Sequence, residues 1–398
     1  MELKDIAVIY DCPHSTAPDE GVGYALIRTP NIGKGRLLLD NVHRVSKEVY
    51  DNRNRRAIPQ EGDIIFAREA PAGNAALITR GQKVCLGQRT VLIKPNHSVC
   101  DSGFLVYYLL APEQQTKLLG FSHGATVQHV NISELSKLSI SLPSLYVQHR
   151  IASILSAYDN LIENNNKRIR LLEQMAENLY KEWFVRFRFP GHEKAEFENG
   201  LPKGWKVEHI GEVCDTLGGG TPSTSKPEYW NGEIKWVTPS DITSKSSLPL
   251  LNVEGRITEE GLKSSSAKLL PPYTILMTSR ASIGYFGLAP FPVCTNQGFI
   301  SIIPNMVNMR MFILHNLMTR KDEIIMNANG ATFLEISKGR FRKMKIVVPD
   351  DTLLDAFEKI ARDVFIQVLK IEKQNTLLSR QRDLLLPRLM SGKLEVKL

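Results

Sequence analysis

Apolar positions in two stretches of the chain recur at alternating spacings of four and three. The first runs Ile151, Leu155, Tyr158, Ile162, Asn165, Ile169, Leu172, Ala176, Leu179 and Trp183, with nine of ten positions apolar or aromatic. The second runs Phe357, Ala361, Val364, Val368, Ile371, Asn375, Leu378, Arg382, Leu385 and Leu389, with eight of ten apolar. A stripe held beyond four heptads predicts a coiled-coil helix. Two long helices are expected, over about 146–187 and about 352–390, each burying its stripe on the other. Asn165 and Asn375 interrupt the stripes; a core Asn either fixes register at a cost in stability or marks a frayed or shifted seam. The short links Phe189-Pro190-Gly191-His192 and Pro349 imply an antiparallel pair with a pseudo-two-fold axis, a globular domain at either end and neighbouring termini.

Ahead of each helix the pattern is different. Asp63 to Phe66, Val91 to Lys94 and Ile300 to Ile303 read as short strands bounded by Gly or Pro. Leu138, Ile140 and Leu142 alternate, as do Met344, Ile346 and Val348, and each run ends at a proline. Ser102 to Ala111 and Met309 to Thr319 read as helices. The two regions also match each other at offsets of 206–212. Ile27 to Ile32 aligns with Val237 to Ile242, Ile64 to Arg68 with Leu276 to Arg280, Val84, Cys85 and Gln88 with Val293, Cys294 and Gln297, and Gly124-Ala125-Thr126 with Gly330-Ala331-Thr332. The expected fold is a mixed α/β (α+β) domain that occurs twice, each copy followed by a long helix.

Composition narrows the class. Hydrophobic residues make up 42% and charged residues 23% of 398, ordinary for a globular chain. Apolar runs such as Leu105 to Ala111 fall short of the roughly 18 residues of a membrane helix, and Met1 to Asp5 has no secretory pattern. Five separated cysteines without a C-x-x-C pair argue against a disulfide framework or zinc site and fit a reducing cytosol. The net charge of +8 favours an anionic partner, nucleic acid first. The excess is spread along the chain, with local clusters at Arg53, Arg55 and Arg56 and at Lys338, Arg340, Arg342, Lys343 and Lys345; each fits a phosphate contact or a solvated face.

Three stretches carry a resemblance. One is Gly124-Ala125-Thr126 through Ile132 and Leu138 to Pro143, followed by Gln148-His149-Arg150-Ile151-Ala152. Another is Leu384 to Gly392, Leu-Leu-Leu-Pro-Arg-Leu-Met-Ser-Gly. The third is Pro202-Lys203-Gly204-Trp205 with Gly219-Gly220-Thr221-Pro222 and Trp236 to Ile242. Together they resemble the specificity subunits of type I restriction–modification systems; the first copy lacks the Gly-Gly-Thr-Pro run. The resemblance implies a DNA-binding subunit without chemistry or cofactor of its own, each target-recognition domain reading one half of a split target and the helices setting the gap. It implies docking of two modification (methyltransferase) subunits, which supply S-adenosylmethionine chemistry, and of ATP-driven restriction subunits. The boundaries become 1–143 and 189–349 for the recognition domains and 144–188 and 350–398 for the helices, in a cytoplasmic protein.

Catalytic motifs are otherwise missing. Pro271-Pro272-Tyr273 follows Leu270, which offers no acceptor for a target amine, and no Gly-rich loop leads into Lys-Ser or Lys-Thr. Asp350, Asp351 and Glu358 fit the N-terminal end of the second helix, where carboxylates complement the dipole. The nine histidines form no ligand pair, and Cys85 and Cys294 read as buried packing. For DNA the candidates are Arg68, Arg280, Gln88, Arg89 and Gln297, since Arg suits guanine or phosphate and Gln suits adenine. Thr221 in the Gly218-Gly219-Gly220 run, Ser240, Lys338 and Arg340 join them; the Gly run reads as a phosphate cradle or a flexible turn. Recurrence in both copies equally fits a scaffold role, because domains that read different half-sites should differ where they touch bases. For partner docking the candidates are Trp183, Phe184, Phe187, Leu385, Leu389 and Met390, apolar residues at the helix ends beyond what one seam needs. Competing functions are a methyltransferase or nuclease with unrecognised motifs, and a coiled-coil assembly scaffold.

Overall fold

The computed structural model describes residues 1–120, 128–245, 247–330 and 334–396. Gly124-Ala125-Thr126 and Ala331-Thr332 lie outside the described residues. The chain divides into two compact units, Met1–Ile162 together with the segment from Leu377 onward, and Glu163–Thr376.

The two units share a four-strand order in their main sheet, which the first unit extends by a fifth strand, and a three-stranded second sheet. In the first unit a five-stranded sheet runs Ala7–Asp11, Thr90–Pro95, Ile64–Ala67, Ala75–Leu77, Gly35–Arg36. Beside it lies a three-stranded sheet, Arg44–Val45, Tyr24–Ile27, Val84–Leu86, whose last pair is parallel. In the second unit the order is Cys214–Gly218, Phe299–Pro304, Ile275–Thr278, Phe286–Leu288, and then Arg256–Ile257, Trp230–Val237, Cys294–Thr295, again with a parallel last pair. Ile64–Ala67 and Ile275–Thr278 are buried at every position. They are covered on both faces, which is why they read as unbroken apolar runs rather than alternating ones.

The ladder also corrects an alignment. Ile64 pairs with Ile93, and Ile275 pairs with Ile302. Ala67 N donates to Asn74 O at 2.7 Å, and Thr278 N to Tyr285 O at 2.9 Å. Ile64 therefore corresponds to Ile275, not Leu276, so Arg68 corresponds to Ser279 and Glu69 to Arg280. A continuous apolar run carries no face alternation to set its register, and the two arginines drew the alignment one residue off. The alternating run at Leu138 to Leu142 is likewise not a strand. It meets Met1 to Leu3 through Leu3 N to Leu138 O at 2.9 Å and Ile140 N to Met1 O at 2.8 Å. Its counterpart, Lys345–Val348, pairs in full with Lys206–His209.

The long helices run Leu145–Tyr180, continued by a π-turn at Lys181–Val185, and Asp351–Met390. Asp350 Oδ1 accepts from Leu353 N at 3.0 Å and caps the second. Within the second unit Ile169, Ala176, Val364, Val368 and Ile371 form the seam. Asn165 Nδ2 donates to Asn375 Oδ1 at 2.9 Å, and Asn375 Nδ2 donates to Asn166 Oδ1 at 2.9 Å, so the core amides are joined in a chain that Asn166 completes. Within the first unit Arg382 pairs with buried Asp159, whose other oxygen accepts from Tyr107 Oη at 2.6 Å. Asn165 facing Asn375 while Trp183 meets Phe357 makes the helix segments of the second unit antiparallel.

The buried stripe of the second helix is wider than one seam. Leu354, Phe357, Ala361, Phe365 and Leu369 face the domain core while Val364, Val368 and Ile371 face the partner helix. Glu358 belongs to that inner surface rather than to the helix start: it is buried and its Oε2 accepts from Met311 N at 2.8 Å. No helix among the described residues is long and apolar enough to cross a membrane.

Candidate nucleic-acid interface

Several candidate DNA contacts are spent on the framework. Arg68 is 12% exposed in its side chain; it donates to Val130 O at 3.0 Å, meets Asp11 at 3.3 Å and bonds His129 at 2.9 Å. Arg53 is buried, its guanidinium donating to the carbonyls of Leu86, Ser15 and Pro13, so it holds a loop rather than a phosphate. Gln88 Nε2 donates to His14 O at 2.8 Å, and Gln297 Oε1 accepts from Thr221 Oγ1 at 2.6 Å. His14 and Thr221 begin the same loop in the two copies, so the recurrent Gln braces that loop twice.

The glycine run is neither an open cradle nor a slack turn. A Cβ at Gly219 would lie 2.2 Å from Thr295 O, and one at Gly220 would lie 2.5 Å from Ala267 N. Gly220 N is already bonded to Thr295 O at 2.9 Å. The glycines let two backbones approach closely.

Other candidates remain at the surface. Arg280 is 50% exposed in its side chain, 4.0 Å from Glu335, and Arg89 is 60% exposed and pairs with Glu69 at 2.9 Å. Ser240 is exposed and its hydroxyl meets Thr238 Oγ1 at 2.8 Å. Lys338 and Arg340 are exposed on the short helix Lys338–Arg342, whose Ser337 cap accepts from Arg340 N. The reading of repeats missed Arg28 and His43, which line one cleft of the first unit with Gln88, Arg89 and Thr29. A search for matching positions passes over them because their counterparts differ.

The apolar helix ends pack largely against their own domains. Trp183 and Phe184 are each 8% exposed inside the second core, with Phe184 5.1 Å from Phe357 and 4.9 Å from Phe312 between ring centres. Phe187 stacks edge-on to Trp205 at 5.5 Å. Leu389 is buried in the first core, and Leu385 and Met390 pack against it. Trp183, Phe184 and Leu389 are buried against their own domains, while Phe187, Leu385 and Met390 pack there and stay partly exposed.

The cysteines offer no nucleophile. All five cysteines are buried. Burial pushes Cys85 and Cys294 up to about 11 and Cys100 and Cys214 up to about 12, so the thiols stay protonated. Pro271-Pro272-Tyr273 forms a turn in which Thr274 Oγ1 donates to Pro271 O at 2.8 Å. No three His, Cys, Asp or Glu side chains gather as metal ligands among the described residues.

The comparisons agree with a duplicated recognition fold. The chain is 36% identical over 169 residues to the type I restriction enzyme MjaIX specificity subunit of Methanocaldococcus jannaschii, 42% of this chain and 39% of that one. It is 26% identical to the putative MjaX specificity subunit of the same organism, covering 100% of this chain and 93% of the relative. The crystal structure of the type I system S subunit from M. genitalium superposes with a TM-score of 0.59 at 17% identity, covering 98% of this chain and 95% of that one, which speaks to the fold. The model of the type I restriction modification DNA specificity domain matches residues 1–174 and again 202–363, and the chain belongs to that family.

Proposed function

We propose that this chain is the DNA-recognition subunit of a type I restriction–modification complex and contributes no catalytic group of its own. Residues 1–143 and 189–349 each read one half of a split double-stranded target, and the helices over 144–188 and 350–398 set the gap. Two modification subunits and the restriction subunits dock on it, in the cytoplasm. The observation that carries this reading is the doubled domain, with four strands of the main sheet and all three of the second in the same order in both units and the family match repeated over both. Methyltransferase, nuclease and scaffold readings have no observation in their favour.

The exposed cations Arg280, Lys338 and Arg340 serve as phosphate contacts in this reading. Mapping methylated sites in cells with and without the chain tests it: a bipartite motif that disappears with the chain is expected. Gel shifts of the complex with its modification subunits add a second test. Lys338→Ala with Arg340→Ala should weaken binding to every sequence alike and reduce the log–log salt slope by about 2. An unchanged slope would remove both residues from the interface.

A further inference from the structure

The two domains differ in charge at three positions whose correspondence the backbone establishes. Gly87 N donates to Ile27 O at 2.7 Å and Asn296 N to Val237 O at 3.1 Å, which sets Arg28 against Thr238. Leu26 N donates to His43 O at 2.8 Å and Trp236 N to Gly255 O at 2.9 Å, which sets His43 against Gly255. Arg68 N donates to Arg89 O and Ser279 N to Gly298 O, both at 2.8 Å, which sets Arg89 against Gly298. One copy offers two guanidiniums and an imidazole where the other offers a hydroxyl and two glycines.

In the first unit all three line a single cleft of about 380 Å³. Arg89 pairs with Glu69 at 2.9 Å, His43 lies 3.6 Å from Asp19, and the charge of Arg28 also acts on the Asp19 carboxylate, though less closely. Arg28 Nε is buried without a hydrogen-bond partner among the described residues. An unmet buried donor is unfavourable, and it leaves the Arg28 guanidinium without a hydrogen bond from Nε to tie it to the framework. Gly87 makes room for the stem: a Cβ there would lie 3.0 Å from Arg28 Cγ. In the other copy the larger Asn296 stands beside the smaller Thr238, so the pair has exchanged bulk. Below this wall the framework is common to both copies, with Gln88 and Gln297 bracing equivalent loops.

We propose that Arg28, flanked by His43 and Arg89, is the specificity-determining residue of the first domain and takes the N7/O6 edge of a guanine in one half-site. The second domain, with Thr238 in its place, makes no such demand at the corresponding base. This rests on the DNA-recognition reading above. A planar fork of donors matches the guanine edge in two bonds. A cleft wall that varies over an invariant brace is where two domains reading different sequences must differ.

The test uses the chain in complex with its modification subunits, on a library of bipartite targets randomised at each half-site position. Arg28→Ala should lower the preference for guanine at one position of one half-site about 10- to 100-fold, and leave the other half-site unchanged. Arg28→Lys should retain part of it. Co-purification and thermal melting report folding; if the alanine variant fails there, Arg28→Gln keeps a polar stem in the cleft and is expected to shift the preference away from guanine. An unchanged base preference in a folded variant overturns the proposal, as does a uniform loss across all sequences or a change in both half-sites. A wild-type complex with no preference for any bipartite target would sink the recognition reading itself, a separate outcome.

Discussion

The two recognition domains share their main backbone ladders and differ in what they place on them. The first gathers three basic side chains into a cleft wall at Arg28, His43 and Arg89; the second has Thr238, Gly255 and Gly298 at those positions and carries Lys338, Arg340 and Arg342 on its last short helix. The corresponding helix of the first domain, Ile132–Ser136, has Ile132, Glu134 and Ser136 at those positions. Leu135 and Phe341 sit at the same place on these helices and are fully buried in both. Core positions are held alike while surface chemistry moves from one loop to another. A duplicated fold can so read two sequences without relearning how to fold.

The helix ends show the same contrast and give the largest expected effect. In the second unit Trp183 and Phe184 seal the junction with Phe312 and Phe357. In the first, Leu389 and Met390 line an apolar cleft of about 430 Å³ with Phe104, Val147 and Ile151. Phe184→Ala should destabilise by about 3–5 kcal/mol, since it empties a packed aromatic site. Met390→Ala removes a side chain already in contact with an open cleft and should cost about 1 kcal/mol. Chemical denaturation of the full chain reads both; equal losses would mean the two junctions are packed alike.

Polar groups inside the helix pair differ as well. The first unit uses a charged set, Tyr107, Asp159 and Arg382, and the second an amide pair, Asn165 and Asn375. Removing one partner of a largely buried ion pair strands the other, so Asp159→Ala should cost about 2–4 kcal/mol. Asn165→Leu leaves the Asn375 amide short of a partner and should cost about 1–3 kcal/mol. Replacing both asparagines by leucine should recover most of that loss, because the amides left behind, Asn166 and Gln374, are exposed to water. If the double variant melts no higher than the single one, the asparagines do more than fill each other's buried hydrogen bonds.

The cleft comparison is sharpened by moving its chemistry across. Thr238→Arg with Asn296→Gly recreates in the second domain the bulk exchange seen in the first. A new guanine preference in the second half-site, of about tenfold or less because the supporting histidine and arginine are absent, is the expected outcome of target-library selection. A variant that binds DNA more tightly but without any new base preference would show that the wall contacts only backbone.

Much of this architecture was legible because it repeats. The heptad stripes announced the two helices, and the drifting matches announced two copies of one domain. What stayed hidden has three physical causes. An all-apolar strand such as Ile64–Ala67 has no alternation, so only its hydrogen bonds could show that Arg68 faces Ser279 in the comparison and not Arg280. An apolar helix end reads the same whether it meets its own domain or a partner, which is why Trp183 and Phe184 looked like a docking face. And Arg28 could not be found by matching copies, since a residue that reads sequence is one the copies need not share.

The smallest effect concerns charge inside the second unit. Burial raises the Glu173 carboxyl to about 7 from 4.5; its bond from Leu248 N pulls the other way, and nearby Glu372 adds to the rise. Lys245 is partly buried close by, its ammonium disfavoured first by burial. A carboxyl whose folded value lies above its unfolded value binds protons more tightly when folded. Its contribution is fully present below about 4.5 and is lost as pH rises through about 7. Glu173→Gln keeps an oxygen for Leu248 N and removes the titration. Relative to wild type it should be nearly neutral or slightly destabilising at pH 5 and stabilising by about 1 kcal/mol at pH 8, a figure discounted for partial solvent screening. In the first unit Ser379 occupies the position 206 residues on, so Ser379→Ala should show no such pH dependence. Melting temperatures of both variants at the two pH values decide it. A Glu173→Gln gain that is the same at pH 5 and pH 8 would mean that the carboxyl is not held protonated by the fold, and that the two units carry equal electrostatic strain along their helices.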